Sequence, residues 1–338
     1  MKPTVDKALQ NAEASLKMEG MHPSVEVMQK CKQVLQGKLT HQDYIADIKK
    51  QYMETEHVKM SEKTKTGWEQ ENRVHFDEIV VSYDRARWNY PNELYVDIFE
   101  YVGAGSKKAL EIGAGTGKAT APFLNAGYNV TAVEMGANMS DFLREKFRDK
   151  ANFNLITTTF EDALLQDDSY DLVYAASAFH WIDAQVGCPK VLRLLKDGGV
   201  FALFRNNAVL NEKNAIYNEI QKVYEKHYGS HYKSDERPVK ISEMQYEDFL
   251  KPEEIFRGFR LESLEQYGFV DIGMKLYDMK KNYNADDYIE LMETMSDHRA
   301  LPEENRMVLY GGIKEAINKH GGQLQMDYIF QLYMGRKP

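Results

Sequence analysis

Apolar residues recur at helical spacing through the first part of the chain. Val5, Ala8, Leu9, Ala12 and Leu16 line one face until Gly20 interrupts the run. Pro23-Ser24 opens a second run, with Val25, Met28, Cys31 and Leu35 on one face and Gly37 where a C-terminal cap belongs. Thr40, with Asp43 three residues on, resembles a capping box and begins a third run carried by Tyr44, Ile45, Ile48 and Tyr52. The spacing predicts a small all-α three-helix module over residues 1–53. Residues 54–72 are polar apart from Val58, Met60 and Trp68 and read as a connector.

The pattern changes in kind from Lys108 onward. Short runs rich in β-branched residues, KALEIGA, NVTAVEM, FNLITTTF, DLVYAASA and GGVFALFRN, alternate with stretches of helical periodicity. Strand and helix alternating at that spacing implies parallel strands joined by crossover helices, so residues 73–338 are expected to form an open, doubly wound α/β sheet with helices on both faces. Residues 208–265 are helix-rich and charged and read as a helical cap, followed by two further strands at GFVDIGMKLYDM and MDYIFQLYMGR.

Length and charge sharpen this division. A chain of 338 residues gives a soft expectation of about two domains. Residues 1–72 carry 11 basic and 11 acidic side chains, so the whole net charge of −9 belongs to the α/β part. An acidic chain without a Lys/Arg block lacks the electrostatic footprint for phosphate backbones, and nucleic acid is not an expected partner. No apolar run reaches the roughly 18 residues of a membrane span, and charges break up the first 30 residues where a signal core would lie. Cys31 and Cys188 are 157 residues apart, with no second Cys or spaced His pair beside either. Neither a disulfide framework nor a metal site is expected, and a reducing cytoplasm fits.

The first strand of the sheet ends in Glu111-Ile112-Gly113-Ala114-Gly115-Thr116-Gly117. In an open parallel sheet the ligand crevice lies at the carboxyl ends of the strands, where the strand order reverses, and glycines in the first turn let backbone approach a ligand. A dinucleotide fingerprint needs glycine at 113, 115 and 118, but position 118 is Lys. Glu134, at the end of the second strand, can accept hydrogen bonds from both hydroxyls of a ribose. Phe160 and Glu161, after the third, offer a ring and a hydrogen-bond acceptor to an adenine. Only Lys118 and Lys196 lie near these turns to balance phosphates, so adenosine without a pyrophosphate is the better chemical fit than NAD.

In order, these motifs resemble a class I S-adenosylmethionine-dependent methyltransferase, of the branch similar to trans-aconitate methyltransferases. The likeness covers residues 75–336 and rests on EIGAGTG at 111–117, VE at 133–134, FE at 160–161, DSYD at 168–171, AFHWID at 178–183, LKDGG at 195–199 and SDHRALPEENR at 296–306. It implies a Rossmann-like, seven-stranded, mostly parallel sheet with S-adenosyl-L-methionine as cofactor. Gly113, Gly115 and Gly117 would then surround the methionine part, Glu134 the ribose, and Met135, Phe160 and Glu161 the adenine, with Glu111, Ala114, Thr116 and Ser177 completing the cofactor set. Asp197 stands where the family has a proline, and Ala163-Leu164 replaces a Leu-Pro.

The acceptor side is read from position. His180, just past the fourth strand, can take a proton from a hydroxyl or amine or orient a carboxylate, and is equally suited to capping a helix. Phe179 and Trp181 flank it, and Tyr83, Arg87 and Tyr90 lie in a segment that in this family folds over the cofactor. His298, with Ser296 and Asp297, is placed on the far wall as a further substrate contact; adjacent in sequence, the three do not make a triad. The expected reaction is in-line methyl transfer to a small-molecule acceptor, for which the resemblance implies a carboxylate. An NAD-dependent oxidoreductase and a cofactor-sensing binding protein stand as alternatives. The last draws on residues 1–53, where Ser15, Glu19 and Gly20 resemble the inhibitory motif of VbhA-like antitoxin domains and imply a Fic-type protein partner.

Overall fold

The computed structural model describes residues 70–232 and 264–338, apart from 106, 210, 212 and 230, together with 32–34 and 38. The chain divides into two compact units, Met1–Thr64 and Lys65–Pro338. In the first, residues 32–34 are helical, inside the second predicted helix. The rest of the three-helix module, including Ser15, Glu19 and Gly20, lies outside the described residues, as does most of the expected cap.

The second unit is built on one sheet of seven strands. Lys108–Ile112 (β1), Asn129–Glu134 (β2), Phe153–Thr157 (β3), Tyr170–Ala176 (β4), Leu195–Val209 (β5), Val270–Tyr283 (β6) and Leu324–Arg336 (β7) stand in the order β3-β2-β1-β4-β5-β7-β6. The first five pair in parallel, and β7 runs antiparallel to both of its neighbours. This is the expected mostly parallel, doubly wound sheet. Chain order runs outward from β1 through β2 to β3 and then restarts at β4 on the other side, so the reversal point falls between β1 and β4.

Strand alternation sorts the core into two layers. Leu172 and Tyr174 of β4, with Val200, Ala202 and Phe204 of β5, face one side, where Phe123 stacks on Tyr174 at 4.0 Å. Val173 and Ala175, with Phe201 and Leu203, face the other. Both layers are dry because helices cover both faces, so central strands of a parallel sheet read as continuous apolar runs. In β1 the same period of two sends Leu110 and Ile112 to the second layer and Ala109 and Glu111 to the first.

Lys65–Pro338 is one compact unit, and residues Gln70–Glu78 form a 3-10 helix. The expected cap starts later than 208, because Ala208 and Val209 extend β5 against Tyr328 and Asp327 of β7. Helix α6 (Ala215–His227) follows, its N-cap Asn214 accepting from the Tyr217 amide at 3.1 Å. Numbered as α-helices in chain order, α1 is Val80–Ala86, α2 Asn92–Val102, α3 Thr120–Asn125, α4 Ala137–Lys146, α5 Ala184–Leu194, α7 Ala285–Glu293, α8 Ser296–Arg299 and α9 Glu303–Lys319. Among the described residues no helix is long and apolar enough to cross a membrane, and no group of His, Cys, Asp and Glu is arranged to hold a metal.

Candidate active site

A groove of about 270 Å³ runs along the carboxyl ends of β1, β2 and β3. Ile112, Gly113, Gly115, Glu134, Phe160 and Trp181 are among its walls, and Phe76 and Asp77 of the 70–78 helix lie across it as a strap. A chamber of about 50 Å³ adjoins it, bounded by Arg87, Trp88, Tyr90, Lys118 and Asn206. Tyr83, Gly113, Gly115, Ala176 and Ser177 belong to the walls of both spaces, so the two meet at the strand-order reversal.

Glu134 is the anchor of the groove. Its carboxylate accepts the Gly115 amide at 2.8 Å on Oε2 and the Gly136 amide at 2.8 Å on Oε1, leaving lone pairs on both oxygens for a ligand. Burial raises its pKa, the two amides pull the other way, and the neighbouring Asp77 adds to the rise. Asp77 itself caps α4 from a distant part of the chain. Its Oδ1 accepts from the Met139 amide at 2.8 Å and its Oδ2 from the Asn138 amide at 3.2 Å. The strap is thereby fixed to the helix that follows Glu134.

The glycine turn divides its labour. Gly113 and Gly115 line both spaces, and Ala114 and Thr116 line the chamber. Gly117, with φ of +76°, faces neither: a Cβ there would come within 2.5 Å of the Phe147 ring and 2.9 Å of Leu143. Its role is close packing beneath α4. Glu111 also departs from its expected place. The period-two alternation of β1 turns it away from the groove, fully buried, where Oε2 accepts from Thr120 Oγ1 at 2.5 Å and Tyr174 OH at 3.0 Å while Oε1 has no partner. Desolvation pushes its pKa up to about 8.

Met135, Phe160, Glu161 and Ser177 all line the groove. Lys190 fixes the Phe160 loop from behind, donating to the carbonyls of Phe160, Glu161 and Ala163 and lying over the Phe160 ring.

On the acceptor side Tyr83, Arg87 and Tyr90 come together in the chamber. The Arg87 guanidinium lies 4.9 Å from the Tyr83 ring and 5.5 Å from the Trp88 ring, and its Nη2 donates to Thr294 O at 2.5 Å. Trp88 is tied to the C-terminal strands through Nε1 to Tyr283 OH at 2.9 Å.

Four of the residues expected on the acceptor side do not reach that chamber. Residues Phe179–Trp181 form one 3-10 turn, whose roughly 120° per residue sends successive side chains three ways. Phe179 enters the core against Phe201, His180 is exposed, and only Trp181 faces a cavity, the larger groove. His298 is buried behind the wall, bonded to Tyr224 OH at 3.1 Å and stacked on Tyr310, and burial lowers its pKa. Residues the sequence reading did not assign, Phe76, Asp77, Trp88, Lys118 and Asn206, line the two spaces instead. Lys118 alone carried a signal, occupying the third-glycine position of the dinucleotide pattern.

Residues 110–203 match the family described as methyltransferase domain. An uncharacterized methyltransferase of Mycobacterium tuberculosis is 35% identical over 131 residues, which are 39% of this chain and 51% of that protein. The chain thus spans about half the length of that relative. A second uncharacterized methyltransferase, from Schizosaccharomyces pombe, is 25% identical over 72% of this chain and 86% of its own length. Among solved structures, the phosphoethanolamine N-methyltransferase 2 of Haemonchus contortus is 15% identical, with a TM-score of 0.44 over 78% of this chain and 57% of that one.

The central part of the sheet, residues 110–203, is thus similar to a methyltransferase domain.

S-adenosylmethionine is the cofactor that the sequence resemblance implies, and the residues of the groove fit it. A buried carboxylate with free lone pairs, an apolar ring and an amide-rich glycine turn suit a ribose, an adenine and an amino-acid tail. Among the described residues that line it, the groove holds no cluster of cations for phosphate. The strap has a second tether on the acceptor side, where Arg299 Nη2 meets Glu78 Oε2 at 2.7 Å. Hydrogen bonds to Arg299 and then to His75 lower the Glu78 pKa. Both partners are partly exposed, so the pair contributes at most about 1 kcal/mol. Arg299→Gln is accordingly expected to weaken S-adenosylhomocysteine binding by less than about fivefold in titration calorimetry, against complete loss if the tether alone holds the strap.

Proposed function

We propose that this protein transfers the methyl group of S-adenosylmethionine to a carboxylate of a small-molecule acceptor. The observation that carries the reading is the character of the chamber at the inner end of the groove. Its unspent polar groups are donors: Arg87 Nε is buried without a partner, and the Lys118 ammonium has only a long 3.4 Å contact to Asn89 Oδ1. Desolvation lowers the Lys118 pKa, with Lys146 and Lys281 adding to the fall and Asp84 opposing it. An anion that accepts hydrogen bonds is the complementary occupant.

When bound, S-adenosylmethionine supplies a methyl group on a positively charged sulfur, and its transfer to a carboxylate oxygen leaves the bonding pair on sulfur and requires no proton to move. The protein's part is therefore binding, alignment and exclusion of water. Glu134 holds the ribose, Phe160 and Met135 flank the adenine, and the amides of the glycine turn take the methionine end. Arg87, braced between two rings and Thr294 O, holds the acceptor's carboxylate. His180 has no task in this scheme, since no base is needed and its ring is exposed outside the chamber.

The test is transfer of a labelled methyl group to a panel of small carboxylates, amines and alcohols. Base-labile methyl esters of carboxylates are the expected products. Transfer to amines or alcohols alone would remove the carboxylate assignment, and failure of the wild-type protein to bind S-adenosylhomocysteine would remove the methyltransferase reading altogether.

A further inference from the structure

Ser177 is the residue on which the two spaces turn. It follows β4 directly, lines both the groove and the chamber, and holds φ at +53°, a conformation that costs a non-glycine residue about 1–3 kcal/mol. The conformation falls at the bend where the chain leaves β4. There the Ser177 amide donates to Phe204 O at 2.8 Å, and Ser177 Oγ lies 2.8 Å from Tyr90 OH.

Tyr90 is held with equal care. Its ring meets Phe204 edge-on at 4.9 Å and Phe330 at 5.7 Å, which fixes the hydroxyl at the chamber wall. Burial raises the Tyr90 pKa far above its ordinary value, so the phenol keeps its proton and does not serve as a base near neutrality.

Hydrogen counting then gives the function of the pair. Two hydroxyls carry two hydrogens, and one is used between the oxygens. Among the described residues the other has no partner. It is a donor at the junction of a groove that holds a methyl donor and a chamber with room for only a few non-hydrogen atoms at about 50 Å³.

We propose that the Tyr90–Ser177 hydroxyl pair donates its spare hydrogen bond to the acceptor's carboxylate and thereby points the attacking oxygen at the junction, with Arg87 holding the other oxygen. The inference rests on the methyltransferase reading and goes beyond it in two respects. It moves Ser177 from the cofactor set to the acceptor set, and it requires the attacking group to be a hydrogen-bond acceptor of about carboxylate size, the remainder of the molecule lying outside the chamber.

Acetate, the smallest carboxylate with a methyl handle, is the probe. Its binding to wild-type protein saturated with S-adenosylhomocysteine can be followed by saturation-transfer NMR. Tyr90→Phe keeps both ring contacts and removes one hydroxyl, and Ser177→Ala keeps the backbone and removes the other. Each is expected to weaken acetate about tenfold or more, the double variant no further than the singles combined as one unit, and S-adenosylhomocysteine affinity is expected to stay within about twofold in all three. Ser177→Gly, which relieves the φ strain and also lacks the hydroxyl, should behave like Ser177→Ala.

The proposal is overturned if wild-type protein shows no saturable acetate binding, or if acetate binds the variants as it binds wild type. It is also overturned if Ser177→Ala weakens S-adenosylhomocysteine and leaves acetate unchanged. Loss of S-adenosylhomocysteine binding in the wild type is the separate signature that the underlying reading has failed.

Discussion

Gly115→Trp is expected to weaken S-adenosylhomocysteine binding by more than about 100-fold in titration calorimetry while the protein remains folded. Gly115 lines both spaces, and its amide is one of the two that fix the Glu134 carboxylate, at 2.8 Å. The substitution has two separable costs. Position 115 has φ of +56°, so any side chain there adds strain of about 1–2 kcal/mol, which lowers the melting temperature by several degrees. A Trp ring also fills the groove. Gly115→Ala carries the first cost without the second, because its Cβ would have 3.9 Å to the nearest Tyr83 ring atom. Ala is therefore expected to lose no more than about tenfold in affinity, and an equal loss in both variants would mean that the strain, not the occupied space, decides binding.

The second large effect concerns stability and involves no ligand. Glu111 is buried with one oxygen unpartnered, and its pKa rises to about 8 from an ordinary value of 4.5. The folded protein thus holds a proton that the unfolded chain releases, so folding stability is highest below about pH 4.5 as far as this group is concerned. It falls as pH rises toward about 8, at no more than about 1.4 kcal/mol per pH unit. Glu111→Gln mimics the protonated acid and keeps an acceptor for Thr120 and Tyr174. Urea unfolding of the variant is expected to match wild type near pH 5 and to exceed it by a few kcal/mol at pH 9. Parallel pH profiles for the two proteins would show that Glu111 ionises normally within the fold.

The two residues illustrate what could be read in the sequence. Glu111 and Gly115 sit four positions apart in one motif and were both expected at the cofactor. A motif specifies residue types in order, and the pleat decides which face each one takes. Alternation along β1 could have been applied to place Glu111 opposite Ile112, and the fully buried carboxylate follows from it. His180, Phe179 and Trp181 show the same limit on a tighter turn, where three neighbours go to solvent, core and groove. His298 was expected at the substrate and is instead locked among Tyr224, Tyr228 and Tyr310, because three elements converge there that no local pattern relates.

What the sequence determined by itself was the order of strands and crossover helices, the glycine turn with its paired Glu134, and a net charge that lies wholly outside the first 72 residues. These are properties of periodicity and spacing, which depend on neighbours along the chain. Tertiary structure alone decided that Asp77 caps a helix some sixty residues away, that Arg87 is braced by Thr294, and that a strained Ser177 meets Tyr90 between two cavities. Each of those contacts joins segments whose separation carries no local signature, and they follow only once the sheet has brought the carboxyl ends of its strands to one edge.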